Sequence, residues 1–172
     1  MSTPRTPSFG AGQRSRLARR AATARWARLG RGVLTLAQIR AAVVKALAER
    51  ETKIAAGVAE VPGRSLFLPP APGERVVKNP RVKAAWLFGS YARGDATAKS
   101  DLDIMVIVEE MPRDWPGETV DLTSAIDKAL GEGVDKGIDL LLVDEKTFNE
   151  HKAKSWDGSV YHEAHREGVR LA

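Results

Sequence analysis

The sequence predicts an α/β fold: a small mixed β-sheet with flanking helices. Three observations point there. Strand-length apolar runs stand at Val82–Phe88, Leu102–Val108 and Ile138–Val143. Apolar stripes at helical spacing separate them, and Gly and Pro punctuate the joints. Of the 172 residues, 43% are hydrophobic, enough for one core and not for two.

The organisation expected is a basic flexible tail over residues 1–32 and one domain over residues 33–172. Met1 to Gly12 is rich in Pro, Ser, Thr and Gly and should be disordered. Gln13 to Leu29 is rich in Ala and Arg, both good helix formers. Its large apolar residues are Leu17, Trp26 and Leu29, too few for a firm buried face, so a marginal basic helix is expected. Gly30-Arg31-Gly32 breaks that pattern. Thr35 then opens a helix, and Gln38 three residues on completes a capping-box signature. Leu36, Ile39, Val43, Leu47 and Ile54 give this helix a buried stripe. The Pro-rich stretch over residues 57–80 is a long connection, of a kind that is usually functional or mobile. Val61 to Leu68 could hold a short strand.

The first strand, Val82 to Phe88, ends at Gly89-Ser90, a turn into a helical turn at Tyr91 to Arg93. Leu102 to Val108 is the second strand, and Pro112 to Pro116 a loop. Leu122, Ala125, Ile126, Ala129 and Leu130 form a helical stripe ended by Gly131. Ile138 to Val143 is almost continuously apolar, which predicts a central strand. Glu145 to Lys154 and Ser155 to Glu167 are expected to be short helices, the latter stopped by Gly168.

Charge is uneven along the chain. Twelve basic and three acidic residues precede residue 61, a net +9; the whole chain is +5, so the remainder is −4. The basic half reads as a solvated arm or as a surface for nucleic acid or an acidic partner. Cysteine is absent, which excludes disulfides and thiolate metal sites and suits a cytoplasmic location. No secretory signal is evident, and no run approaches the roughly 20 apolar residues of a membrane span.

The acidic half concentrates its charge where burial is expected. Asp101 and Asp103 alternate with Leu102 and Ile104, so both carboxylates project from one face with Cα atoms roughly 6.5–7 Å apart. Their repulsion must be offset by solvent, a basic partner, a raised pKa or a cation, and hard cations such as Mg²⁺ prefer such oxygens. Gly89 lets a phosphate approach the backbone and Ser90 can donate a hydroxyl, although Gly-Ser is also an ordinary turn. The segment Gly89 to Gly94 lacks the Gly-Lys-Ser/Thr ending of a P-loop. Asp139 lies inside the apolar run after Ile138, and the intervening helix could return it beside Asp101 and Asp103. Asp135 and Asp144, at loop edges, are poorer candidates. His162 and His165 lack a third ligand for zinc, and His151 reads as a surface residue. Trp86, Trp115 and Trp156 read as packing residues, and Ser90 has no Ser/His/Asp arrangement around it.

Gly89-Ser90, ten residues, then Asp101-Leu102-Asp103 resembles the signature of the DNA polymerase β-like nucleotidyltransferases, most closely their minimal nucleotidyltransferase branch. Asp139 in "GIDLLLVD" is similar to the family's third carboxylate, and "SVYHEAHREGVRL" to its closing helix and strand. The resemblance spans about Val82 to Leu171, with catalytic motifs at residues 82–144; the Pro-rich stretch departs from the compact family pattern. It implies transfer of a nucleoside monophosphate, AMP from ATP or another NTP, with release of pyrophosphate. Asp101, Asp103 and Asp139 would be the catalytic and metal-ligating residues for two Mg²⁺ or Mn²⁺ ions, and Gly89, Ser90 and Arg93 would bind the nucleotide; Arg93 also reads as a plain surface residue, and Lys99 is a weaker candidate still. The branch further implies an antitoxin beside a HEPN-domain toxin that receives AMP. The rival readings are an aminoglycoside-like small-molecule nucleotidyltransferase and a non-catalytic module binding a partner or nucleic acid.

Overall fold

The computed structural model describes residues 32–55, 81–112, 114–131, 134, 136–152 and 159–172. The chain begins with helix α1, Leu36–Ala55. Thr35 and Gln38 cap it reciprocally: the Gln38 N–H donates to Thr35 Oγ1 at 3.3 Å and the Thr35 N–H to Gln38 Oε1 at 2.8 Å. Strand β1, Val82–Phe88, follows, then the short helix α2, Gly89–Arg93, and strand β2, Leu102–Val108. Helix α3, Trp115–Leu130, leads to strand β3, Ile138–Asp144. Helices α4, Glu145–Lys152, and α5, Val160–Glu167, and strand β4, Val169–Arg170, complete the order.

The sheet is mixed, in the order β3-β2-β1-β4. β1 pairs antiparallel with β2 and β4, while β2 and β3 run parallel. A parallel pair needs a crossover, and α3 supplies it. Strand alternation divides the core. Ala85, Leu87, Leu102, Ile104, Val106 and Val108 face α1 and α3, against Ile39, Val43, Leu47, Leu122 and Ile126. Ala84, Phe88, Met105, Ile107 and Val143 face the opposite side, against Phe148 of α4 and Ala164 of α5. Arg50 of α1 and Glu118 of α3 form a largely buried ion pair between the two helices.

Several expectations are corrected. β3 is an edge strand among the described residues rather than a central one. Its apolar character comes from cover over its second half, where Leu142 and Val143 are buried, while its first half is more open. The loop at Pro112 to Pro116 ends sooner than expected: Pro116 sits in the first turn of α3, where a missing N–H costs nothing. Asp114 caps that helix by accepting from the Gly117 N–H at 3.2 Å. Trp115 is 52% exposed, whereas Trp86 packs against the second core as expected. His151 is half-buried rather than a surface residue; its ring lies 5.2 Å from that of Tyr161 and joins α4 to α5. Val61 to Leu68, Trp156, Asp135 and the segments 1–31 and 56–80 lie outside the described residues. Among the described residues no helix is long and apolar enough to cross a membrane.

Candidate active site

Three turns bring the candidate residues to one end of the sheet. Phe88 pairs with Asp103 across β1 and β2, and the chain then turns sharply at Gly89, whose φ is +64°. That conformation favours glycine, and the neighbour demands it as well. A Cβ on Gly89 would stand 2.0 Å from Asp103 Oδ2, so the carboxylate lies directly over the glycine backbone. Beyond it, α2 is anchored by Tyr91 and Ala92, which are buried in the main core. Gly94 closes the turn with φ +76°, and the Gly94 and Asp95 N–H groups both donate to the Ser90 carbonyl, at 3.0 and 3.1 Å. Ser90 therefore follows directly on the glycine that Asp103 overlies, with its carbonyl held by two N–H groups.

The parallel pairing of β2 with β3 sets Asp103 opposite Asp139 in register. Both lie on the sheet face that carries α4 and α5, because they alternate with Leu102, Ile104, Ile138 and Leu140 of the main core side. Asp101 stands just before β2, and the Leu102 N–H donates to the Gly137 carbonyl at 2.8 Å, which extends the pairing one step. A Cβ on Gly137 would stand 2.3 Å from Asp101 Oδ1, so this second carboxylate also rests on a glycine. Asp101 and Asp139 are exposed and Asp103 is half-buried.

Burial raises the Asp103 carboxyl above its ordinary range, and the charges of Asp139 and Asp101 push it further. Arg93 opposes the shift and Glu163 adds to it. Arg93 also pairs with Asp95 at 3.3 Å on the surface. Asp144 takes a different role. Burial raises its carboxyl, but hydrogen bonds from Thr147 and nearby backbone outweigh this and lower it. Its Oδ1 accepts the Thr147 N–H at 2.8 Å and caps α4. His165 is exposed, and Lys99 lies on an exposed turn.

Among the described residues no three acidic or histidine groups converge into a ready metal cluster. Asp103 and Asp139 face each other, while Asp101 is laid against Gly137. The donor set still suits a hard divalent cation. All of its atoms are carboxylate oxygens, and the half-buried member is disfavoured as an anion by burial first and then by its two acidic neighbours. Mg²⁺ keeps several waters and needs only one or two carboxylates, so an open set is adequate.

Three residues of this site escaped the sequence reading. Glu163 of α5 adds to the charge that raises the Asp103 carboxyl, and its signal was an acid next to Ala164, a buried residue of that helix. Gly137 had no signal beyond being two residues before Asp139. Lys136 donates from Nζ to the Ala98 carbonyl, a contact between segments 38 residues apart.

The family model for Polymerase beta, Nucleotidyltransferase matches residues 74–155. A protein of Methanocaldococcus jannaschii named "Putative protein adenylyltransferase MJ1379" is 46% identical over 55 residues, covering 32% of this chain and 55% of the relative. Another from the same organism, "Putative protein adenylyltransferase MJ0141", is 62% identical over 26 residues, 15% of this chain and 26% of the relative. The chain thus spans about half the length of the first relative and about a quarter of the second. A crystal structure of a "putative nucleotidyltransferase" from Sulfolobus solfataricus aligns over 82% of this chain and 90% of its own, at 17% identity and a TM-score of 0.31, too loose a likeness to argue from.

Proposed function

We propose, from the match of residues 74–155 to the family model for Polymerase beta, Nucleotidyltransferase, that this chain moves AMP from ATP onto a hydroxyl of a partner protein. The observation that carries the reading is the in-register apposition of Asp103 and Asp139, with the Asp103 carboxylate over the Gly89 backbone. It brings two acid groups and the Gly89 turn to one end of the sheet.

The chemistry is an in-line exchange. The acceptor oxygen forms a bond to the α-phosphorus, the bond from that phosphorus to the α–β bridging oxygen breaks, and pyrophosphate leaves. Asp101, Asp103 and Asp139 would hold divalent cations, which supply positive charge to the phosphates. Gly89 admits the terminal phosphates to the backbone, and Ser90 donates its hydroxyl to them. Arg93 adds charge on the leaving-group side. Asp139, exposed at the edge strand, accepts the proton of the attacking hydroxyl.

The acceptor is inferred from what the chain has to spare. Holding an attacking hydroxyl within about 3–3.5 Å of phosphorus requires a second binding surface. The described residues are occupied by the sheet and its helices, with no added substrate domain. A protein carrying its own Tyr, Ser or Thr to the site meets that need, which favours an antitoxin acting on a HEPN-type toxin over a small-molecule transferase. The names of the relatives support protein adenylylation as the class. Co-expression with the product of the neighbouring gene, followed by intact-mass measurement, should show one adenylate on the partner, lost with Asp101→Asn. A partner that stays unmodified yet is still neutralised by the Asp101→Asn protein would instead establish binding without catalysis.

A further inference from the structure

We infer that Lys136 is a positioning residue for Asp101. It acts by clamping the turn that carries Asp101 to the entry of β3. The inference rests on the metal-dependent reading above.

Asp101 is the one acid of the three outside a strand, so the sheet does not by itself fix its place. It follows a turn over residues 97–100. That turn is closed internally by the Thr97 N–H donating to Ser100 Oγ at 2.9 Å and the Ser100 N–H donating to the Thr97 carbonyl at 3.1 Å. Such a turn is stiff within itself but could swing as a unit. Two contacts tie it to the segment entering β3. One is the Leu102 N–H bond to the Gly137 carbonyl, at 2.8 Å. The other is Lys136 Nζ, which donates to the Ala98 carbonyl. Gly32 lies against Ala98 as well; a Cβ on that glycine would stand 3.7 Å from Ala98 Cβ.

The clamp is therefore two-point. Gly137 provides the bed on which the Asp101 carboxylate rests, and Lys136, its neighbour, holds the turn down three residues before Asp101. Asp139 lies two residues beyond Gly137, inside β3. One short segment, residues 136–139, thus supplies the third acid and sets the first. Lys136 is committed to a carbonyl on the turn, so its part is to place Asp101 rather than to touch the nucleotide. Groups hydrogen-bonded directly to metal ligands cost about 10–100-fold in metal affinity or activity when removed, and a clamp on the turn that carries the ligand is expected to act in the same range.

The test uses the full chain with Lys136→Met and Lys136→Arg. Titration calorimetry with Mn²⁺ alone, without nucleotide, should show affinity about 10–100-fold weaker for Lys136→Met. Lys136→Arg, which keeps a donor, should recover most of it. Transfer by Lys136→Met should fall at low Mn²⁺ and return at high Mn²⁺, and hydrogen exchange at Ser100 and Leu102 should quicken. Unchanged Mn²⁺ affinity and exchange in Lys136→Met would overturn the clamp while leaving the nucleotidyltransferase reading intact. An equal loss in both variants would also overturn it, since the donor would then not be the cause. Absence of Mn²⁺ binding by the unaltered protein would overturn the metal-dependent reading and the clamp together.

Discussion

Asp103→Asn, measured without divalent cations, should make the protein more stable while removing its transfer activity. Asp103 is half-buried and stands opposite Asp139 in the β2–β3 register. Two like charges about 4 Å apart repel by about 1 kcal/mol in water and about 4 kcal/mol at an effective dielectric of 20. Asp139 is exposed, so screening puts the repulsion near the lower figure, ~1 kcal/mol. In a chain of this size that corresponds to a rise of about 2–4 °C in the thermal midpoint. The pH dependence has a definite sign. Burial first, then Asp139 and Asp101, raises the folded-state pKa of Asp103. The native state therefore holds this proton more tightly than the unfolded chain. Wild-type stability falls as pH rises from the ordinary carboxylate value through the raised one, then levels off. Asparagine has no such proton, so the variant's advantage should be full at neutral pH and vanish below about pH 4. Scanning calorimetry in chelator across that range measures it. An unchanged or lower midpoint at neutral pH, or an advantage that persists on acidification, would refute the account of Asp103 as a strained anion.

Other perturbations separate the parts of the site. Asp139→Ala should leave ATP–Mg²⁺ binding measurable by calorimetry while single-turnover transfer falls by at least ~10²–10⁴; lost ATP binding in a folded protein would contradict its assignment to the acceptor side. Gly89→Ala should abolish transfer and lower the thermal midpoint, because the residue has positive φ and its new Cβ would meet the Asp103 carboxylate. Removing residues 1–31 should spare transfer to a small acceptor and, if the basic arm binds DNA, abolish a salt-sensitive affinity seen in the full chain by fluorescence titration. Thr35→Ala should cost α1 about 1 kcal/mol by deleting its half of the capping box, visible in chemical denaturation.

Much of this was legible in the sequence, where local chemistry speaks for itself. The capping box at Thr35 and the strands Val82–Phe88 and Leu102–Val108 follow from patterns a few residues long, whereas the return of Asp139 beside Asp103 was expected from the helix between their strands and from the family resemblance. What was missed depends on contacts between distant segments. The edge position of β3 is set by which strands pair, and an apolar run does not encode that. Gly137 looks like any loop glycine until the Asp101 carboxylate is laid on it. Lys136 meets Ala98 across 38 residues, and the charge of Glu163 on α5 reaches Asp103 only through the packing of that helix on the sheet. Asp114 illustrates a nearer failure: Pro116 reads as a loop residue, although the acid before it caps a helix that Pro can begin.

The edge position of β3 among the described residues also explains how three acids share one sheet end. A carboxylate in a central strand loses water on both faces and has to be offset. On the edge strand, Asp139 keeps its exposure and its hydration. Asp101, ahead of β2, keeps them too. The cost is thereby concentrated on Asp103, the one acid flanked by paired strands on both sides. Its raised pKa is the signature of that concentration. On the proposed function this placement would divide the roles. Asp103 would gain most from a cation, because burial and its acidic neighbours disfavour its charge. Asp139, exposed at the rim, would be the acid that an incoming hydroxyl reaches without the sheet opening.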